Sequence, residues 1–295
     1  MNDLSDLSSY LEWRSVPQMK SPFMVVGFHG WSDAGCVSSD TLTYLKEAFA
    51  PDVFATFSNG PFVHYTLDRP LGRIEDGLVR YVEPMESEFA CWSDPEGKHD
   101  AIFLLGREPS LDWRLYTRVI FEIIERLRVR TLYTIGGVQD AVSHSMPPFV
   151  SVVASSRSVM DLILEPDQGI RPADYQGPVS IHSYLIRMCT DNGIDGLSLW
   201  GHVPAYLQRN PRMTARMVTI LCGVTGIECP VEPLVRKSIE MDRQINEALA
   251  RDQHLRQFVE SISDNKGSQS PKTGSDKIIR LDDFLRRYPN KDPQP

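Results

Sequence analysis

The sequence predicts an α/β protein, a layered and mostly parallel sheet flanked by helices, with a helical C-terminal extension. Short apolar runs of strand length, Met24–Phe28, Ala101–Leu105 and Thr131–Ile135, each stop at a glycine-bearing turn. The first two turns lead into segments whose apolar residues recur at the three- and four-residue spacing of a helix. Strands alternating with helices call for parallel neighbours, because a parallel pair needs a long crossover, and the crossovers cover both faces of the sheet.

Taken in order, residues 1–20 form an N-terminal extension and residues 21–230 the α/β core. Within the core, Met24–Phe28 is the first strand, and Val37–Phe49 is a helix with Leu42, Leu45, Ala48 and Phe49 on one face, ended by Pro51. Asp52–Phe57 and Leu78–Val82 read as further strands, in a hairpin or an edge extension. Ala101–Leu105 is followed by a helix carrying Leu115, Val119, Ile120, Ile123, Ile124 and Leu127. Thr131–Ile135 runs into Gly136-Gly137 and a polar loop around His144, and Leu197–Gly201 makes another strand. Residues 231–263 change character to a long, charge-rich helical segment with a narrow apolar stripe through Met241, Ile245, Leu255 and Val259, interrupted by Asp252. That stripe is either a helix pair packed on the domain's own surface or a seam for self-association. Residues 264–275, rich in Ser, Gly, Lys and Asp, are expected to be a linker. Residues 276–288 are expected to form a docking helix, and residues 289–295 a frayed tail.

Composition narrows the function. Among 295 residues, 41% are hydrophobic and 24% charged, which suits a globular protein able to bury a core. The net charge of -8, with no basic run longer than Arg286-Arg287, argues against a nucleic-acid partner. Five scattered cysteines without a Cys-x-x-Cys pair read as reduced thiols of a cytoplasmic protein. The seven histidines show no ligand spacing, so no metal site is expected, and no cofactor either. The acidic start Met1–Asp6 is unlike a signal peptide, and no apolar stretch approaches the roughly 18–20 residues of a membrane span.

In such sheets ligands sit beyond the carboxyl ends of the strands, which directs attention to the turns. The first, Gly27–Gly35, holds Gly30, Trp31, Ser32, Asp33 and Gly35 at a strand-to-helix junction. Either Ser32 or Asp33 could cap the helix, or the turn could grip a ligand with its free amides. In the second, Glu108 is placed to face the same crevice as Asp33, a carboxylate pair suited to acid–base work or to holding hydroxyls or an amine. Ser110 could cap the next helix there, and Trp113 could be core. The third turn holds Gly137 and His144, and the fourth region adds Tyr175, Trp200 and Tyr206 as aromatic lining. There is no Gly-x-Ser-x-Gly elbow, phosphate loop or dinucleotide fingerprint, which disfavours hydrolase, triphosphatase and dehydrogenase chemistry.

At these turns the sequence resembles the proteasome assembly chaperone 2 family in its bacterial, actinobacterial-like form. The stretches that carry the resemblance are GFHGWSDAG from Gly27, GREPSLDW from Gly106, the turn containing Gly137 and His144, YQGPVSI from Tyr175 and SLWGHVPAYL from Ser198. DDFLRR from Asp282 is similar to the family's closing helix. The resemblance implies a fold related to purine nucleoside phosphorylases and a homo-oligomer, a trimer above all. The resemblance names no reaction; the first reading is a non-enzymatic protein that binds another protein, proteasome core subunits among the candidates, through the crevice-face turns or the helical carboxyl-terminal region. The second reading, from a different class, is a binding protein or enzyme for a nucleoside- or amino-acid-sized molecule, with Asp33, Glu108 and His144 converging on it. Two departures weaken anion binding or acid–base catalysis at the turns. The family's Pro-His-Thr-Arg-Pro is Ser143–Pro147 here, and its Val-Pro-His-Tyr is Val203–Tyr206. The final residues Asp292–Pro295 lack the hydrophobic-tyrosine tail by which such chaperones dock, so tail insertion is not expected.

Overall fold

Apolar β-branched runs build the centre of the molecule. The computed structural model describes residues 7–164 and 169–264. The elements are β1 (Leu11–Trp13), β2 (Phe23–His29), α1 (Val37–Phe49), β3 (Asp52–Ser58), β4 (Gly72–Glu75), β5 (Leu78–Val82), β6 (Glu86–Trp92), β7 (Ala101–Arg107) and α2 (Trp113–Leu127). They continue with β8 (Thr131–Asp140), β9 (Val150–Ala154), α3 (Arg157–Asp161), β10 (Ile170–Pro172), α4 (Ile181–Asn192), β11 (Asp195–Pro204), α5 (Pro211–Thr225), α6 (Glu232–Arg251) and α7 (Gln253–Asp264). Nine strands form one sheet in the order β1-β3-β6-β7-β2-β8-β11-β9-β10, and β4 with β5 forms a separate hairpin.

The predicted fold class holds, and its parallel parts are the central quartet β7-β2-β8-β11 and the edge pair β9–β10. Antiparallel strands flank that centre on both sides, through the β6–β7 and β11–β9 pairings. Because side chains alternate across a strand, β2 divides its residues between two cores. Phe23 and Val25 pack toward Leu42 and Leu45 of α1 and Met217 and Leu221 of α5. Met24, Val26 and Phe28 pack toward Val119, Ile120 and Ile123 of α2 and Leu185 of α4. Each such side chain taken out of water contributes roughly 1.5–3 kcal/mol, so two covered faces rather than one hold the central strands.

The N-terminal extension enters the sheet, since Leu11–Trp13 pairs antiparallel with β3 at its edge. Strand β8 continues past Ile135 to Asp140, where a polar loop was expected, because β11 runs beside it in unbroken register from Thr131↔Asp195 to Asp140↔Pro204. The glycines that suggested a turn are instead close-packing positions: a Cβ on Gly136 would strike the Trp200 ring, and one on Gly137 the Ala34 carbonyl. Leu78–Val82 is the second strand of the isolated hairpin.

The charged C-terminal segment is a helix pair, broken at Asp252, whose carboxylate accepts the His254 and Leu255 amides at 2.8 and 3.0 Å and so starts α7. Ile245, Leu255 and Val259 are buried in a cluster with Tyr206 and Leu207, and Met241 packs at its margin. Packing on the domain's own surface buries these residues of the stripe. The expected linker, docking helix and tail over residues 265–295 lie outside the described residues. All five cysteines are free thiols.

Candidate functional site

The β2 strand ends at His29, and the chain turns through Gly30, whose φ of +126° only glycine adopts without strain. The same position sits against Glu108, where a side chain on residue 30 would be crowded by the Glu108 Cβ. This close approach lets the Ser32 amide and hydroxyl donate to Glu108 Oε2 at 3.2 and 3.3 Å. The other carboxylate oxygen faces the first amide of α4, Ile181 N–H, at 3.4 Å. On the far side of Ser32, His182 Nε2 lies 3.1 Å from the hydroxyl. With that hydroxyl donating to Glu108, Nε2 carries the proton and donates to Ser32 Oγ, an assignment that follows from the partners.

Ser32 and His182 are both fully buried. The His182 ring lies between Phe28 and Trp200, with centroids 5.2 and 5.0 Å away, and burial pushes its pKa down to about 3, so the imidazole is neutral. Two buried polar atoms here, His182 Nδ1 and Ser180 Oγ, make no hydrogen bond among the described residues.

Asp33 belongs to a different arrangement. Its Oδ1 accepts the Ser38 and Ser39 amides at 2.8 and 3.0 Å, which makes it, rather than Ser32, the residue that caps the first turn of α1. Burial raises its carboxyl above the usual value, and the His29 imidazole at 3.8 Å acts in the opposite sense. The carboxylates of Asp33 and Glu108 are thus committed to separate partners. In the second turn Asp112, not Ser110, caps α2, accepting the Leu115 amide at 3.0 Å. Trp113 donates its indole N–H to the Pro109 carbonyl at 2.7 Å and packs edge-on to Tyr184.

Of the remaining expected residues, Gly137 N–H donates to the Ser32 carbonyl at 2.8 Å and so ties β8 to this turn. Gly35 packs against Val203. Trp31 and Tyr175 are exposed, the latter donating its hydroxyl to the Pro178 carbonyl. His144 and Tyr206 form their own node beside α6: the tyrosine hydroxyl accepts the His144 amide at 2.9 Å and lies 2.8 Å from Nδ1, while Nε2 faces Asn246 Oδ1 at 3.3 Å. Arg212 locks the node by donating to the His144 carbonyl at 2.7 Å and pairing with Asp242. A cavity of about 30 Å³ adjoins it, lined in part by His144, Phe149 and His202, room for one or two waters. The structure thus brings Gly30, Ser32, Glu108 and Trp200 together around His182, and separately His144 with Tyr206.

Sequence reasoning missed two histidines. His182 lies in α4, two residues after the polar start at Ser180, and its signal was a histidine on an otherwise apolar helix face. His202 lies on β11, where its Nδ1 faces Asp140 Oδ2 at 2.8 Å and its Nε2 faces Ser151 Oγ at 2.9 Å. No sequence signal marked it, because its partners Asp140 and Ser151 come from β8 and β9 and meet it only through the strand order. Among the described residues no group of three His, Cys, Asp or Glu side chains could hold a metal ion, and no helix is long and apolar enough to cross a membrane.

A parallel-centred sheet between two helical layers, with an interlocked polar crevice at its strand ends and an exposed hairpin beside it, defines an α/β protein. The chain belongs to the PAC2 family, whose model matches residues 27–249. It is similar to a proteasome-assembly chaperone homologue from Mycobacterium tuberculosis, at 25% identity and a TM-score of 0.72 over 80% of this chain and 99% of that one. A PAC2 family protein from Streptomyces avermitilis has the same fold at 24% identity and a TM-score of 0.68, covering 77% of this chain and 95% of that one. So does an archaeal proteasome activator from Pyrococcus furiosus, at 18% identity and a TM-score of 0.66, covering 80% and 97%. No curated protein matches the sequence.

Proposed function

We propose that the protein works by binding protein, as an oligomer of the assembly-chaperone kind, a trimer above all, with proteasome core subunits as its partner class. The observation that carries this reading is the β4–β5 arm. Leu67, Leu71, Ile74, Leu78, Val79, Tyr81 and Val82 are all exposed, and every residue of both strands is open to water. A two-stranded hairpin is at best marginally stable alone in water, and contiguous apolar surface of this kind marks a contact site.

The arm is also aimed. At the end of β7, Arg107 donates to Asp68 Oδ1 at 2.7 Å and to Glu83 Oε1 at 2.6 Å, gripping the two roots of the arm. Between those roots the Leu71 amide donates to Glu83 Oε2 at 2.9 Å and the Glu83 amide to the Leu71 carbonyl at 2.8 Å. The Leu71 amide first, with Arg107, holds the Glu83 carboxyl below its usual value, so the clamp is charged at neutral pH. Family membership, and the names carried by the mycobacterial and archaeal relatives, supply the partner class.

The test is an affinity capture of the tagged protein from its own host, beside an Ile74→Ser/Val79→Ser variant, with bound proteins identified by mass spectrometry and the mass read by light scattering. The reading expects proteasome core subunits with the wild type, and their loss or a smaller assembly with the variant. An unchanged mass together with unchanged capture removes the arm from the interface.

A further inference from the structure

Three side chains outside the crevice stand in a line on adjoining strands. Asp140 closes β8, His202 lies near the end of β11, and Ser151 lies on β9 on the far side of β11. The contacts run from Asp140 Oδ2 to His202 Nδ1 at 2.8 Å, and from His202 Nε2 to Ser151 Oγ at 2.9 Å. The Asp140 carboxyl is held below its usual value, by the bond from His202 first and then by the Ala141 amide, so it is ionised and accepts. That fixes the proton on Nδ1 and leaves Nε2 as the acceptor for the serine hydroxyl.

We propose that Ser151, His202 and Asp140 form a nucleophile, base and orienting acid that hydrolyse small carboxylic esters. A nucleophile bonded to its base, and that base bonded to an orienting acid, is how such a triad is recognised on an unrelated fold. None of the three is sealed off: the side chains of His202 and Asp140 are 17% and 41% exposed, and Ser151 is only half-buried. Phe149 stacks on the imidazole at 4.0 Å between centroids and holds its plane.

The neighbours indicate the substrate. Trp200 on β11 and Arg171 on β10 are the register partners of Ser151 and share its face of the sheet. The Arg171 guanidinium lies over the Phe149 ring, 5.6 Å from its centroid. A flat or aromatic group beside Trp200 and a negative group toward Arg171 suit this surface, and the partial exposure of Ser151 and Asp140 leaves it open to the hydrolytic water. In the step itself, Ser151 Oγ bonds to the acyl carbon as His202 Nε2 takes the hydroxyl proton. The bond from that carbon to the leaving oxygen then breaks, and the alcohol departs with the proton. Water repeats the exchange through His202, releasing the carboxylic acid and restoring the serine.

The experiment uses the full chain, a fluorophosphonate with peptide mapping, and the p-nitrophenyl esters of acetate and of succinate as the turnover probes. The proposal expects a phosphonyl adduct on Ser151 and steady turnover of both esters. Turnover should fall by about 100-fold or more in Ser151→Ala and in Asp140→Asn, each checked to be folded by a cooperative thermal transition. Arg171→Ala should lower kcat/KM for the succinate ester about tenfold more than for the acetate ester. Wild-type protein that carries no adduct on Ser151, or turnover that survives in Ser151→Ala, overturns it. Because the wild-type adduct is decisive by itself, a variant that fails to fold does not shelter the proposal, and neither outcome bears on the arm as a protein-binding site.

Discussion

His182 is enclosed by Phe28, Trp200 and Ser32, and the carboxylate of Glu108 reaches it only through the Ser32 hydroxyl, so protonating its ring would set a charge in the core without a direct counter-ion. Its folded pKa, pushed down to about 3, lies below the unfolded value of about 6.5. The unfolded chain therefore binds the proton first as the medium is acidified. The contribution from this group is fully present above pH 6.5 and is lost as the pH falls toward 3. Between pH 7 and pH 4 that loss amounts to roughly 3 kcal/mol. Urea unfolding of wild type beside His182→Gln, which keeps a donor for Ser32 but does not titrate, should show the wild type losing more stability over that interval by about this amount. Parallel losses in the two proteins would remove His182 as the cause. This residue was not legible in the sequence, because its environment is built by β2, β11 and the turn at Ser32, all distant along the chain. Asp33 was legible as a cap because capping is local: the acid and the amides it accepts lie within six residues.

At the scale of elements, local periodicity located α1 and the parallel strands, since each carries its own apolar signal, whereas β1 and β10 are three-residue edge pieces defined only by the neighbour they pair with. The α6–α7 pair shows where periodicity stops. An apolar stripe states that something covers it, and the covering residues, Tyr206 and Leu207, come from the loop after β11. Ile245, 1% exposed, lies in that contact. Ile245→Ala should cost about 2–5 kcal/mol, the range for truncating a buried isoleucine, while the mass by light scattering stays that of the wild type. A fall in mass without that loss of stability would make the stripe a seam between copies.

Across the whole molecule, the polar groups at the strand ends are largely spent on one another. Glu108 takes Ser32 and the start of α4, Asp33 takes the start of α1, and His144 takes Tyr206 and Asn246. Residue types and turn positions were readable from the chain, but which carboxylate meets which amide depends on the strand order, and that order sends Asp33 toward α1 and Glu108 toward α4. A nucleoside- or amino-acid-sized ligand held by Asp33, Glu108 and His144 together would have to break bonds in three places at once. The cavity beside His144, about 30 Å³, has room for one or two waters and not for such a ligand. Millimolar nucleosides, phosphate or amino acids should therefore leave the melting temperature unmoved. A ligand present at 100 times its Kd would instead add about 2.7 kcal/mol and raise the midpoint by several degrees. If one of them does so, and the rise disappears in Asp33→Asn while the assembly keeps its mass, then the crevice opens to admit it. The interlocked arrangement would in that case be the resting state of a binding site, with the unpartnered Ser180 Oγ and His182 Nδ1 among the groups it offers.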